Sequence, residues 1–120
     1  MKRTLAVDDS SSVRQMVGFT LRNAGYEVNE AVDGRDGVAK AAARRFDLII
    51  TDLNMPNMDG IQMIAALRKL PEYSFTPILM LTTESQPEKK AAGRKVGATG
   101  WIVKPFNSEQ LVAVVRKLIG

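Results

Sequence analysis

Residues 48–52 read Leu-Ile-Ile-Thr-Asp, a short apolar run that stops at a carboxylate. Three similar runs, at residues 5–7, 78–81 and 101–103, are also followed by reactive polar side chains, namely Asp8, Asp9, Thr82 and Lys104. Short apolar runs of this kind are typical of strands buried on both faces of a parallel sheet. The pattern therefore predicts strands whose carboxyl ends carry the chemistry of the protein.

The apolar runs alternate with helical patterns along the whole chain. Strands are predicted at residues 4–7, 28–31, 48–51, 78–81 and 101–103, and helices at 11–24, 35–45, 61–70, 87–96 and after a capping box at Asn107 and Gln110. Strands that alternate with helices indicate a parallel sheet covered on both faces. We expect an α/β fold, (βα)5, with a doubly wound five-stranded parallel sheet. The periodicity of the sequence does not give the order of the strands.

Composition limits the chemistry of this chain. Its 120 residues predict a single domain over residues 1–120. The absence of Cys and His excludes a disulfide framework, a thiolate zinc site and a histidine general base. No apolar run is long enough to span a membrane and residues 1–3 do not start a signal peptide, so we expect a cytoplasmic protein without membrane contact.

The formal net charge of +4 is unevenly distributed. Residues 1–84 have a net charge of −1, whereas residues 85–120 have a net charge of +5. Any single lysine is explained by an ordinary solvated surface, and the functional interpretation of the excess is a face for an acidic partner. No nucleic-acid motif or aromatic-interleaved basic patch is present, so we do not expect nucleic acid as a partner.

The strand-end acids predict a metal site. Ligands of open parallel sheets bind outside the carboxyl ends of the strands, where Asp8, Asp9 and Asp52 would meet. Crowded carboxylates disfavour one another's ionisation, and a bound cation reverses that effect. Ligands that are all oxygen favour Mg²⁺, with Mn²⁺ as the alternative, and leave a place for a phosphoryl group.

Phosphoryl transfer matches the remaining strand-end residues. Asp52 would be the nucleophile, because a carboxylate is already deprotonated at neutral pH. Lys104 and Thr82 would neutralise or hydrogen-bond the phosphoryl oxygens. Pro105 favours an extended backbone at Lys104. Each residue alone has an ordinary structural explanation, and it is their combination at successive strand ends that predicts a site.

Four segments carry a resemblance to a known family, namely Val7-Asp8-Asp9-Ser10, residues 52–60 (Asp-Leu-Asn-Met-Pro-Asn-Met-Asp-Gly), Thr82 and Lys104-Pro105-Phe106. Over essentially its whole length the chain resembles a response-regulator receiver domain. The segment around Asp52 is most similar to single-domain chemotaxis regulators of the CheY type. The resemblance implies a flavodoxin/CheY-like fold with strand order 2-1-3-4-5.

The resemblance also implies roles for residues. Asp52 would accept phosphate from a phosphohistidine of a histidine kinase in two-component signalling, here in chemotaxis. Asp9, Asp52 and the backbone carbonyl of Asn54 would bind Mg²⁺ directly, and Asp8 mainly through water. Lys104 would bind the phosphoryl group.

The resemblance also implies a conformational switch. Thr82 would move toward the phosphoryl group and the aromatic residue at 101 would turn inward, which alters an output face formed by the fourth helix, the fifth strand and the last helix. Asn54 and Glu84 would tune self-catalysed dephosphorylation, and a phosphatase is a further partner. We expect a monomer whose enzymatic chemistry is confined to its own phosphorylation and dephosphorylation.

The chain departs from the family pattern at three places. Trp101 stands where Tyr or Phe is usual, and Thr83 stands where Ala or Gly is usual and would narrow access to the phosphoryl site. The fourth helix is more basic than we expect of a flagellar-motor regulator, with Lys89, Lys90, Arg94 and Lys95. The output partner therefore stays open.

Three alternatives remain at this point. The chain ends at Gly120, where the last helix should end, so we expect no output domain, but a receiver excised from a larger regulator or hybrid kinase has the same sequence features. A haloacid dehalogenase-type hydrolase needs a second Asp where Asn54 stands. A flavodoxin-like cofactor binder could use Ser10 to Ser12 as a phosphate cradle, but Asp8 and Asp9 would repel the phosphate.

Overall fold

In a computed structural model, which describes residues 1–120, five strands alternate with five α-helices. The strands are β1 (Arg3–Val7), β2 (Glu27–Ala31), β3 (Leu48–Thr51), β4 (Ile78–Thr82) and β5 (Gly100–Val103). The helices are α1 (Ser11–Asn23), α2 (Gly34–Ala43), α3 (Gly60–Arg68), α4 (Pro87–Val96) and α5 (Ser108–Ile119). All strand pairs are parallel, in the order β2-β1-β3-β4-β5, which confirms the predicted fold class and strand order.

The sheet separates two hydrophobic clusters, because successive side chains of a strand point to opposite faces. In β1, Leu5 belongs to the cluster that includes Met63 and Leu67 of α3. The next residue, Ala6, belongs to the cluster that includes Val17 of α1 and Leu111 of α5. Helices thus cover both faces, and the carboxyl edge of the sheet stays open for a site. A membrane crossing would need a longer and more apolar helix than any in this chain.

Several element boundaries differ from the sequence prediction for local reasons. Helix α3 ends at Arg68 instead of residue 70, because Leu70 precedes Pro71 and has the extended backbone (φ −86°, ψ 124°) that a following proline favours. An unpredicted 3₁₀ turn, Pro71–Tyr73, then leads to β4. Helix α2 begins at Gly34, one residue earlier than predicted, and ends at Ala43, since Arg44 is extended.

The predicted capping box at Asn107 is only half formed. The Asn107 side chain caps α5 by accepting from the Gln110 N–H at 2.6 Å, but Gln110 does not return the bond. The reciprocal pair forms at α3 instead, where Asp59 accepts from the Gln62 N–H and Gln62 accepts from the Asp59 N–H, at 2.8 and 2.9 Å. The same residue spacing was available in the sequence there.

Tyr73 connects the turn after α3 to the end of α2. Its ring is fully buried. The hydroxyl lies 2.8 Å from the carbonyl oxygens of Ala41 and Arg44, to which it can donate, and it accepts from the Phe46 N–H at 3.2 Å. This one phenol therefore satisfies backbone groups just before β3, the strand that leads to Asp52.

We predict that Tyr73→Phe lowers the free energy of unfolding by about 1–3 kcal/mol, because the buried Phe46 N–H loses its acceptor. Urea unfolding followed by circular dichroism measures the change. Tyr26→Phe is the matched control, since Tyr26 is also buried but its hydroxyl makes no hydrogen bond within the protein. An equal loss in both variants would contradict the assignment.

Candidate functional site

Three carboxylates meet at the carboxyl edge of the sheet. One oxygen from each of Asp8, Asp9 and Asp52 lies within 4.8 Å of the others. Asp8 and Asp52 are buried, with 5% and 9% of their surface exposed, whereas Asp9 is exposed. The structure therefore brings together the three acids that the sequence singled out.

The register of two neighbouring strands places the acids side by side. Val7 pairs with Thr51 across β1 and β3, so the residues that follow, Asp8 and Asp52, leave the sheet at the same point. The Asp52 N–H donates to the Val7 carbonyl at 3.0 Å and extends the ladder by one bond. The position of Asp52 is thus set by sheet pairing.

Lys104 supplies the positive charge in this cluster. Its ammonium donates to Asp8 Oδ2 at 2.8 Å and to Asp52 Oδ2 at 3.3 Å, and only 14% of its side chain is exposed. Burial alone would lower the pKa of Lys104, but the hydrogen bond that Lys104 donates to Asp8 and the charges of both acids outweigh burial and raise that pKa. Lys104 is therefore held as a cation, before a cis peptide bond to Pro105.

The remaining carboxylate oxygens have few partners. Asp8 Oδ1 accepts from the Ser10 N–H at 2.9 Å, and Asp52 Oδ1 accepts from the Leu53 N–H at 2.7 Å. Burial raises the pKa of Asp8 despite the hydrogen bonds from Lys104 and Ser10. Asp9 has no hydrogen-bond partner within the protein. Three carboxylates facing one ammonium, with only oxygen donors, fit a hard divalent cation.

Thr82 and Trp101 are joined through the backbone of Glu84. Thr82, at the end of β4, is fully buried, and its Oγ1 accepts from the Glu84 N–H at 3.2 Å. The Trp101 indole N–H donates to the Glu84 carbonyl at 2.9 Å. The half-buried indole packs against Gly93 of α4, where a Cβ atom would lie 2.7 Å from the ring. Glycine at this position therefore makes room for the large ring, a role that sequence reasoning missed although a glycine inside a helix was the available signal.

Three other predicted site residues lie at the surface. Asn54 and Thr83 are exposed in the loops after β3 and β4, and neither side chain makes a hydrogen bond within the protein. Pro105 is also exposed. Their side chains are accessible to solvent, and their roles stay predictions.

Sequence reasoning missed Arg14 of α1. Its guanidinium donates to the backbone carbonyl of Asp8 at 2.6 Å and to Glu30 of β2 at 3.3 Å. Arg14 therefore holds the loop after β1, which carries two of the acids. An arginine one turn into an amphipathic helix gave no signal of this contact.

Helix α4 carries a cluster of cations without ion pairs. Its four basic residues are Lys89, Lys90, Arg94 and Lys95, and none of them lies within ion-pair distance of an acid. Three of the four are exposed, and Lys90 is half-buried. The basic excess of the last third of the chain is thus largely concentrated on one helix beside Trp101.

Comparisons with known proteins match the whole chain to one family. The sequence pattern of the response regulator receiver domain matches residues 4–116. The DNA-binding dual master transcriptional regulator RpaA of Synechocystis is 39% identical over 119 residues, which are 99% of this chain and 49% of RpaA. The response regulator ArlR of Staphylococcus aureus is 35% identical over 99% of this chain and 53% of ArlR. The chain spans about half the length of these curated relatives.

Solved structures agree with the sequence comparison. Chemotaxis protein CheY4 of Vibrio cholerae superposes with a TM-score of 0.95 at 58% identity, over 98% of each chain. The signal receiver domain of a histidine kinase from Syntrophus aciditrophicus has a TM-score of 0.92 at 30% identity, over 99% of this chain and 90% of the other. The chain therefore belongs to the response regulator receiver domain family.

Proposed function

We propose that this receiver domain is a phosphoacceptor whose Asp52 takes a phosphoryl group from a phosphohistidine of a histidine kinase. The observation that carries the proposal is the contact of the Asp52 carboxylate with Lys104 beside two further carboxylates. Because residues 1–120 contain no histidine, the donor histidine lies outside this domain. The Asn at 54 also disfavours the alternative hydrolase, which would need a second acid there.

The proposed reaction exchanges one bond for another. An oxygen of the Asp52 carboxylate attacks phosphorus, the P–N bond to the kinase imidazole breaks, and its electron pair returns to that ring. Lys104, already 3.3 Å from Asp52 Oδ2, pairs with a phosphoryl oxygen and offsets its charge. Asp52 needs no general base, because it reacts as a carboxylate.

The acids would hold a divalent cation for this reaction. Asp9, Asp52 and the backbone carbonyl of Asn54 would bind Mg²⁺ or Mn²⁺ directly, and Asp8 would act through water. A bound cation of this kind offsets negative charge on phosphoryl oxygens. Asn54, Thr83 and Glu84 would then set how readily water reaches the phosphoaspartate.

We predict that acetyl phosphate adds the mass of one phosphate to the protein only when Mg²⁺ is present, and adds none to Asp52→Asn. Intact mass spectrometry measures both. Asp47→Asn is the matched control, because Asp47 lies just before β3 where Asp52 lies just after it, and it should be phosphorylated like the parent protein. Equal phosphorylation of Asp52→Asn would contradict the proposal.

The switch is proposed to run through the hydrogen bonds of Glu84. In this structure the Thr82 hydroxyl accepts from the Glu84 N–H. If that hydroxyl turns to donate to a phosphoryl oxygen, the Glu84 N–H loses its acceptor. The Glu84 carbonyl, which accepts from Trp101, would then shift with the loop. This displacement would alter the α4–β5–α5 face, which is where an output protein is proposed to bind.

We predict that phosphorylation changes the fluorescence of Trp101, the only tryptophan. The change should be lost in Thr82→Ala, which still accepts phosphate at Asp52 but cannot donate from position 82. Emission spectra with and without acetyl phosphate, at matched extents of phosphorylation by mass, make the comparison. An unchanged spectrum in the fully phosphorylated parent protein would rule out a moving indole.

The output partner is proposed to present acidic groups to α4. We predict that Lys89→Glu combined with Arg94→Glu weakens binding of a glutamate-rich synthetic peptide, and that salt weakens binding to the parent protein by screening. Lys2→Glu combined with Arg35→Glu is the control, since these exposed cations lie just before β1 and in α2. Equal weakening by the two pairs, measured by fluorescence anisotropy, would contradict a preference for α4.

Chemotaxis is the pathway that we propose, because CheY4, at 58% identity, is a chemotaxis protein. A phosphatase that shortens the life of the phosphoaspartate belongs to the same proposal. The second candidate is a receiver that is part of a larger regulator, and it is favoured by curated relatives about twice as long. The mass of the protein isolated from its own cells distinguishes the two.

A further inference from the structure

We propose that Asp33 and Asn57 are a positioning pair for the acceptor loop, residues 53–59, and that their contact sets how tightly the acidic site binds its divalent cation. Neither residue touches the acids. The inference rests on the proposed function, because it concerns the loop that carries the Asn54 carbonyl. It adds two positioning residues outside the strand-end cluster.

Both ends of the acceptor loop are fixed by close packing. The loop starts directly after Asp52 and ends where Gly60 begins α3. The Gly60 N–H donates to the Leu53 carbonyl at 2.8 Å. A Cβ atom at Gly60 would overlap the Asp52 carbonyl oxygen, so only glycine allows this approach.

The middle of the loop is tied to the fold by only two hydrogen bonds. The Asn57 side-chain amide donates to Asp33 Oδ2 at 2.8 Å, and the Gly34 N–H donates to the Met58 carbonyl at 3.1 Å. Residues 54–58 make no other hydrogen bond to another segment, and they form neither helix nor strand. The start of α2 is therefore their hydrogen-bonded anchor, in addition to the packing of Met55 and Met58 against the hydrophobic core.

Asn57 suits this contact in its backbone as well as its side chain. It is the only non-glycine residue with a positive φ, 68°. Asparagine tolerates this left-handed conformation better than most residues, so its type serves both the turn and the amide that reaches Asp33.

Asp33 is itself held in place. Its Oδ1 accepts from the Asp36 N–H at 2.9 Å and caps α2, which leaves Oδ2 to accept from Asn57. The Asp36 N–H, and then the Asn57 amide, hold the pKa of Asp33 below its usual range. The carboxylate is thus a fixed acceptor at the start of a helix.

The carbonyl of Asn54 lies three residues before Asn57, so its direction depends on the torsions that the contact holds. Without the contact, the loop would have more conformations in the free protein, and binding a cation would have to order them. Groups hydrogen-bonded directly to a metal ligand contribute about 10- to 100-fold to metal affinity, and a contact that acts through three residues of backbone belongs at the lower end of that range. We therefore expect the contact to act on cation affinity.

Two variants break the contact in different ways. Asp33→Ser keeps an oxygen that can cap α2 but is too short to reach Asn57. Asn57→Gly keeps the positive φ, removes the amide and changes no charge. Each should raise the Kd for Mg²⁺ about tenfold in calorimetric titration with MgCl₂. The double variant should bind Mg²⁺ as tightly as the single variant with the higher Kd, because both substitutions remove the same contact.

A swap and a control separate positioning from general stability. Asp33→Asn combined with Asn57→Asp exchanges the donor and the acceptor, keeps the cap and the net charge, and should return the Kd to near the parent value. Asn29→Ala removes a similar bond, from Asn29 to Glu27 at 3.2 Å on β2, and should leave the Kd unchanged. Acetyl phosphate labelling at saturating Mg²⁺ should recover in the weakened variants.

The outcomes separate this inference from the proposed function. If the parent protein binds Mg²⁺ and folded Asp33→Ser and Asn57→Gly bind it equally well, the positioning role is wrong while the phosphoacceptor role stands. The positioning role is also wrong if the swap variant binds Mg²⁺ as weakly as the single variants. If circular dichroism shows that a single variant does not fold, the swap variant alone decides whether the positioning role holds. If the parent protein neither binds Mg²⁺ nor gains phosphate, the proposed function fails first.

Discussion

The ammonium of Lys104, between the carboxylates of Asp8 and Asp52, is the interaction on which the rest of the site depends. β4 lies between β3 and β5, so the lysine side chain must reach past the end of β4 to contact both acids. Buried charges are tolerated only when they are paired and hydrogen-bonded. The parallel order of the sheet is therefore what makes this acidic cluster compatible with a folded protein.

The same cluster is left short of positive charge. Lys104 faces three carboxylates, and Asp9 has no partner within the protein. Stability for such a site comes from elsewhere, here from the two hydrophobic clusters on either side of the sheet. We infer that the chain holds its acids close enough to favour binding of a cation. The stability of the hydrophobic core offsets the repulsion between the carboxylates.

Two sets of contacts lead outward from the acids. One joins Thr82 to Trp101 through the backbone of Glu84 and ends on α4, where Gly93 admits the indole. The other ties the acceptor loop to α2 through Asp33 and Asn57. The first offers a route by which a phosphoryl group could alter a basic surface, and the second holds the loop whose Asn54 carbonyl is proposed to bind the cation.

The sequence by itself determined the alternation of strands and helices and the strand-end positions of Asp8, Asp9, Asp52, Thr82 and Lys104, because burial and strand periodicity are local properties of the chain. Family resemblance added the strand order, which periodicity left open. Only the tertiary structure decided that Arg14 holds the Asp8 carbonyl, that Tyr73 reaches Phe46 and that Asn57 reaches Asp33. These contacts join separate elements, and no local pattern encodes them because they depend on how helices and loops pack around the sheet.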